Sequence, residues 1–270
     1  MTKVVLVDNG SLEPAAHAGL RAAAAAIGRL LGLRVEAVSW RHSDRIPGEA
    51  LEGRPAQTLA PWIRAEVAAG EREFLFIPFF ISPQGAIGSA LRGDLGRLQE
   101  ETGGFGFSFT RGLSDGGALA GVVAERIRET AAASGLRRPA VIMVDHGGPV
   151  RASSEVRNRV ADEVRAQLGE AIASLTAASM ESPDGAGFEF NRPLLADALA
   201  ELHSGDLLIA PLFLLPGRHA GPGGDLVRIA HEAQARAPDL RCHFAGLVGS
   251  HPAAIEALAG GVAHALGVLS

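Results

Sequence analysis

Continuous apolar runs and longer amphipathic stretches alternate along the whole chain. The runs are short, rich in β-branched residues and closed by Gly, Pro, Asn or Asp, so they read as strands buried on both faces. They predict strands over 3–8, 33–40, 73–81 and 105–111, then over 140–145, 172–180, 206–215 and 240–247. Apolar residues at helical spacing predict helices over 14–31, 56–70, 86–101 and 115–134, then over 153–169, 190–203, 222–236 and 252–266. The alanine run Ala22–Ala26 belongs to the first helix, because alanine has the highest helix propensity. Strands separated by helices give an α/β chain with doubly wound parallel sheets of the flavodoxin type.

The pattern is written twice. Val4-Val5-Leu6-Val7-Asp8-Asn9-Gly10-Ser11 matches Val141-Ile142-Met143-Val144-Asp145-His146-Gly147-Gly148, 137 residues later. A second pair is Phe74-Leu75-Phe76-Ile77-Pro78-Phe79-Phe80-Ile81-Ser82-Pro83-Gln84-Gly85 against Leu207-Leu208-Ile209-Ala210-Pro211-Leu212-Phe213-Leu214-Leu215-Pro216-Gly217. Agreement in order and spacing identifies an internal duplication, with lobes expected over 1–134 and 135–270 and a cleft between them. Gly135 and Pro139 mark the break. A proline inside the third strand of each half predicts a bulge or an edge-like irregularity there.

Composition narrows the function class. A net charge of −5 argues against a nucleic-acid partner, which calls for a basic face. The one cysteine, Cys242, excludes an internal disulfide and a CxxC metal site, and suits a reducing cytoplasm. The apolar run at Val4–Val7 is too short for a signal peptide, and no stretch approaches the ~20 residues of a membrane span. A cytoplasmic protein without a membrane partner is expected.

Candidate chemistry gathers at strand carboxyl ends, where open α/β sheets bind ligands. In the second half the first strand ends at His146, the second at Glu181, and the third runs into Pro216-Gly217-Arg218-His219. With strand order 2-1-3-4, His146 and His219 would face each other across the crevice, with Glu181 behind them. Two imidazoles and a carboxylate suit a divalent metal, and equally suit proton transfer near pH 7. Asn9, Arg41 and Ala86 stand at the corresponding places in the first half, so one site per chain is expected.

These stretches resemble the class II tetrapyrrole chelatases, specifically the sirohydrochlorin cobalt and iron chelatases of CbiX type. Asp145-His146-Gly147-Gly148 resembles the family's Gly-His-Gly-Ser-like turn, and Pro211-Leu212-Phe213-Leu214-Leu215-Pro216-Gly217-Arg218-His219 resembles its most specific segment. Ser179-Met180-Glu181 and Gly246-Leu247-Val248-Gly249-Ser250-His251-Pro252 extend the likeness. Asp145 and Gly148 depart from the family's glycine and serine, which alters the turn that aims His146.

The resemblance implies insertion of a divalent metal (cobalt, iron or nickel) as substrate into a planar tetrapyrrole. No ATP or organic cofactor is implied, and the setting is cobalamin or siroheme biosynthesis. It implies His146, His219 and Glu181 as metal-holding and proton-accepting groups. The macrocycle's carboxylates imply an arginine lining, for which Arg218, Arg192 and Arg41 are the candidates. Because the duplication supplies both lobes, a monomer suffices.

Other features carry less. His17, His203, His231 and His264 are read as surface residues of helices; His42 and His251 lie near strand ends, and His243 is read as packing. Phe79, Phe80 and Phe213 are read as core. The glycine-rich stretches at 103–106 and 221–224 form no GxGxxG after a strand, and neither GxxxxGK[ST] nor GxSxG occurs. A non-catalytic tetrapyrrole- or metal-binding protein is the alternative function, and hydrolysis by His146 with Asp145 lacks a nucleophile.

Overall fold

The fold is taken from a computed structural model that describes residues 2–81 and 86–267. Residues 82–85 of the repeat, and the side chain of Ala86 that was aligned with His219, lie outside the described residues.

Eight strands and eight α-helices alternate among the described residues. The first half contains β1 (Lys3–Asp8), α1 (Pro14–Leu31), β2 (Val35–Ser39), α2 (Leu59–Ala68), β3 (Glu73–Pro78), α3 (Ala86–Glu101), β4 (Gly106–Phe109) and α4 (Ala118–Ala133). The second contains β5 (Ala140–Asp145), α5 (Arg151–Leu168), β6 (Ser174–Ser179), α6 (Leu195–Ala200), β7 (Ser204–Pro211), α7 (Asp225–Arg236), β8 (Asp239–Phe244) and α8 (Pro252–Ala265). Two parallel four-stranded sheets result, ordered β2-β1-β3-β4 and β6-β5-β7-β8, which is the expected 2-1-3-4 order twice.

The register repeats as well. Asp8, the last residue of β1, pairs with Ser39 of β2, and Asp145 of β5 pairs with Ser179 of β6. Just beyond, the Arg41 amide donates to Asn9 O at 3.2 Å and the Glu181 amide to His146 O at 3.1 Å. This close approach leaves no room for a side chain on the following glycine. A Cβ on Gly10 would lie 1.7 Å from Arg41 O, one on Gly147 would lie 1.9 Å from Glu181 O, and both glycines have positive φ.

The third strands are shorter than expected and carry no bulge: they end at Pro78 and Pro211. Proline has no N–H to donate, so the ladder misses one bond there. The next amides restore pairing, Phe79 to Val7 O at 2.8 Å and Leu212 to Val144 O at 2.7 Å. The helix expected over 190–203 is reduced to α6, because the residue before Pro193 is held extended and helical geometry starts only after it.

Two compact units form. One comprises Met1–Asp115, Leu215–Gly217 and Gly249–Ser270, and the other Gly116–Leu214 and Arg218–Val248. They differ from the two sequence halves in their closing helices. α4 packs on α5 and β7 in the second unit, and α8 packs on α1 and β3 in the first. Leu119, Val122, Val123 and Ile127 give α4 the apolar face for this, and Ile255, Leu258 and Val262 do so for α8.

In the first unit Trp62, Phe74, Phe76, Leu91, Leu95 and Phe105 lie in the core on one side of the sheet. In the second, Ile142, Val144, Leu195, Leu207, Ile209 and Leu226 do so. Each such fully buried side chain stabilises the fold by roughly 1.5–3 kcal/mol. Phe79 and Phe80 are buried, and Phe213 packs against the second core, as expected of core residues. Among the described residues, no helix is long and apolar enough to cross a membrane.

Candidate active site

The second unit brings His146 beside His219 and beside Glu181. His146 follows β5, Glu181 lies two residues past β6, and His219 lies on the loop between β7 and α7. The imidazoles of His146 and His219 meet edge to face, with ring centroids 4.7 Å apart and planes at 86°. Glu181 Oε1 is 3.6 Å from His146 Nδ1. His146 and Glu181 are about half exposed, at 46% and 58%, so both are open to a ligand. Among the described residues no three His, Cys, Asp or Glu side chains are already drawn together as a metal cage.

The two imidazoles differ in what backs them. His146 Nδ1 lies 3.0 Å from Gly147 O, a neutral carbonyl. His219 Nδ1 lies 2.7 Å from Asp225 Oδ2, a carboxylate. Asp225 is the first residue of α7, where the helix N-terminus favours an anion. The hydrogen bonds from His219 and from Arg228 hold its carboxyl below the usual range. The connecting loop is tight, since a Cβ on Gly224 would lie 2.8 Å from His219 O. Sequence reading missed Asp225. The signal was an acidic residue at the start of a helical pattern, six positions after the candidate histidine.

A buried polar network holds the turn that carries His146. The Ser179 hydroxyl donates to Asp145 Oδ1 at 2.6 Å, and Arg157 Nη1 donates to that hydroxyl. Arg157 is only 1% exposed; it also donates to Phe190 O at 2.9 Å and lies 3.6 Å from Asp145 Oδ1. Burial raises the Asp145 carboxyl above its ordinary pKa, against the opposing pull of Ser179 and Arg157. Asn191, fully buried, accepts from the Gly148 amide at 3.2 Å and donates to Gly148 O at 2.9 Å. The aspartate that departs from the family's glycine is thus tied into the sheet end, and the turn it begins is pinned by Asn191.

The arginine candidates are dispersed. Arg218 is 82% exposed, with Nε 3.8 Å from Asp225. Arg192 is exposed and pairs with Asp197 at 2.5 Å. Arg41 lies in the first unit, stacked 3.9 Å over Trp40 and paired with Asp94 at 2.8 Å.

Of the remaining histidines, His203, His231 and His264 are exposed as expected, but His17 is not. It is 1% exposed, with Nδ1 3.4 Å from Ser39 Oγ, and burial lowers its pKa to about 4. It lies on the buried stripe of α1 with Leu20, Ala24 and Ile27, which is why it points inward. His251 caps α8 by accepting from the Ala253 amide, and His243 lies 3.0 Å from Asp206.

The molecule thus combines two parallel sheets in 2-1-3-4 order with a pair of facing histidines at the strand ends of the second. Residues 140–265 match the sequence model of the CbiX family. No curated protein matches it in sequence.

Solved structures share the fold across nearly the whole chain. SirB from Bacillus subtilis with Fe3+ is 14% identical, with a TM-score of 0.68 over 97% of this chain and 94% of that one. The sirohydrochlorin chelatase SirB from Bacillus subtilis subspecies spizizenii, in complex with cobalt, is 12% identical with a TM-score of 0.65 over the same shares. CbiX, described as the terminal enzyme for biosynthesis of siroheme in denitrifying bacteria, is 20% identical, with a TM-score of 0.62 over 100% of this chain and 99% of that one.

Proposed function

We propose that the chain is a sirohydrochlorin chelatase. It inserts a divalent metal, cobalt or iron, into the macrocycle without ATP or an organic cofactor, in the making of cobalamin or siroheme. The observation that carries the reading is the juxtaposition of His146 and His219, 4.7 Å apart at the strand ends of the half that matches the CbiX family.

Insertion requires that the metal shed water, that the pyrrole nitrogens lose their protons, and that the ring nitrogens become accessible. Imidazole nitrogens serve both needs near neutral pH, as ligands for borderline metals and as proton acceptors. In this reading His146 and His219 receive the incoming metal and the pyrrole protons, and Glu181 orients His146 or adds an oxygen ligand. Arg218, the most exposed of the second-unit candidates, is suited to the carboxylates at the macrocycle's edge.

The test is anaerobic absorbance of sirohydrochlorin with Co(II), Fe(II) or Ni(II), with and without the protein. Accelerated metal-dependent conversion supports the enzyme and ranks the metals. Tight binding without conversion supports a carrier instead. Neither binding nor conversion removes sirohydrochlorin as the substrate.

A further inference from the structure

We propose that Asp225 is the positioning residue of the site. It fixes His219 in the tautomer that carries its proton on Nδ1 and offers a lone pair on Nε2. The inference rests on the chelatase reading for its consequence in turnover, but its structural content stands on the His219 ring alone.

The argument starts from an asymmetry. A neutral imidazole has one donor and one acceptor nitrogen, and the hydrogen bond made by one decides the state of the other. An ionised carboxylate can only accept, so the 2.7 Å contact places the proton on His219 Nδ1. Nε2, on the opposite edge of the ring, is then the free acceptor.

Asp225 is itself held. Arg228 donates to its other oxygen at 3.2 Å, its amide donates to Arg218 O at 3.2 Å, and the next amide, that of Leu226, donates to His219 O at 3.1 Å. Ring and carboxylate are thus joined through both side chain and backbone across one short loop. Among the described residues His146 has no carboxylate at hydrogen-bond distance: a carbonyl lies 3.0 Å from its Nδ1, and the nearest Glu181 oxygen is 3.6 Å away. Carboxylate backing of an imidazole ligand fixes ring orientation and tautomer, and its loss commonly costs about 10–100-fold in metal affinity or activity. The site therefore pairs one locked imidazole with one adjustable one.

Two readouts test this on the intact chain. The first is the imidazole nitrogen NMR spectrum of the metal-free protein, with His219 assigned by comparison with His219→Gln. The parent is expected to show protonated Nδ1 and bare Nε2 at His219; Asp225→Ala is expected to show a mixture of tautomers, and Asp225→Glu the parent pattern.

The second is metal insertion at saturating sirohydrochlorin. Asp225→Ala is expected to lose about 10–100-fold in kcat with little change in KM for the macrocycle, and Asp225→Glu to recover most of it. An unchanged tautomer in Asp225→Ala overturns the proposal. So does a changed tautomer with unchanged kcat. If the parent shows the expected tautomer but inserts no metal, the chelatase reading fails while the tautomer assignment stands.

Discussion

Arg157, buried in the second unit, donates to Ser179 and through Ser179 reaches Asp145. The carboxyl ends of β5 and β6 are thereby joined by a guanidinium on α5. In the first unit Asp8 and Ser39 occupy the same register without an arginine, and His17 on α1 lies against Ser39 instead. The duplicated aspartate therefore lies beside a cation in one unit, whereas in the other only Ser39 and backbone hydrogen bonds oppose its burial.

Removing that cation exposes the cost of the buried carboxylate. Arg157→Met should destabilise the second unit by about 3–5 kcal/mol, since it leaves an uncompensated buried charge. Adding Asp145→Asn should recover part of the loss, because the amide does not ionise. Urea unfolding of both variants checks this; a single variant as stable as the parent would contradict it.

The first unit should respond to pH through Asp8. Burial raises its pKa from 3.8 to about 6, so its carboxyl is protonated more readily in the folded than in the unfolded chain. A raised value contributes stability below the unfolded pKa, and that contribution is lost as pH rises toward about 6 and beyond. Asp8→Asn should therefore match the parent near pH 4 and exceed it near pH 8, by on the order of 2–3 kcal/mol.

His17 acts in the opposite sense. With its pKa lowered from 6.5 to about 4, its contribution is lost as pH falls through that window. Thermal melts from pH 4 to 8 read both effects.

Gly147 is expected to accept no substitution without loss of activity. Its φ of +82°, and the 1.9 Å that would separate an added Cβ from Glu181 O, force the His146 turn and the end of β6 apart. A displacement near 1 Å at a reacting group costs about 100-fold, so Gly147→Ala should lower the insertion rate by that order. Steady-state rates beside a melting curve separate this from unfolding, and a parent-like rate would contradict it.

Strand order and the His146–Glu181–His219 grouping were legible because both follow from local signals. Buried parallel strands are continuous apolar runs, and ligand-facing residues sit where those runs end. Arg157, His17 and Asp225 were not. Arg157 lies on the buried stripe of α5 with Val160, Ala161 and Val164, and His17 on that of α1, but charged or titratable residues in helices ordinarily mark the solvent face. Asp225 reads as an ordinary helix-start acid until the loop fold brings it onto His219. The membership of α4 and α8 was equally hidden, because an apolar helix face does not say which sheet it covers.

The most direct test of the account is anaerobic insertion of Co(II) into sirohydrochlorin by the parent and by a His146→Ala, His219→Ala double variant, followed by absorbance. Both rings are partly exposed, so the variant should keep the parent's melting temperature. The account predicts that the parent accelerates conversion and that the variant falls to the rate without protein. A folded variant that converts the macrocycle as fast as the parent would contradict it and move the chemistry away from these two histidines.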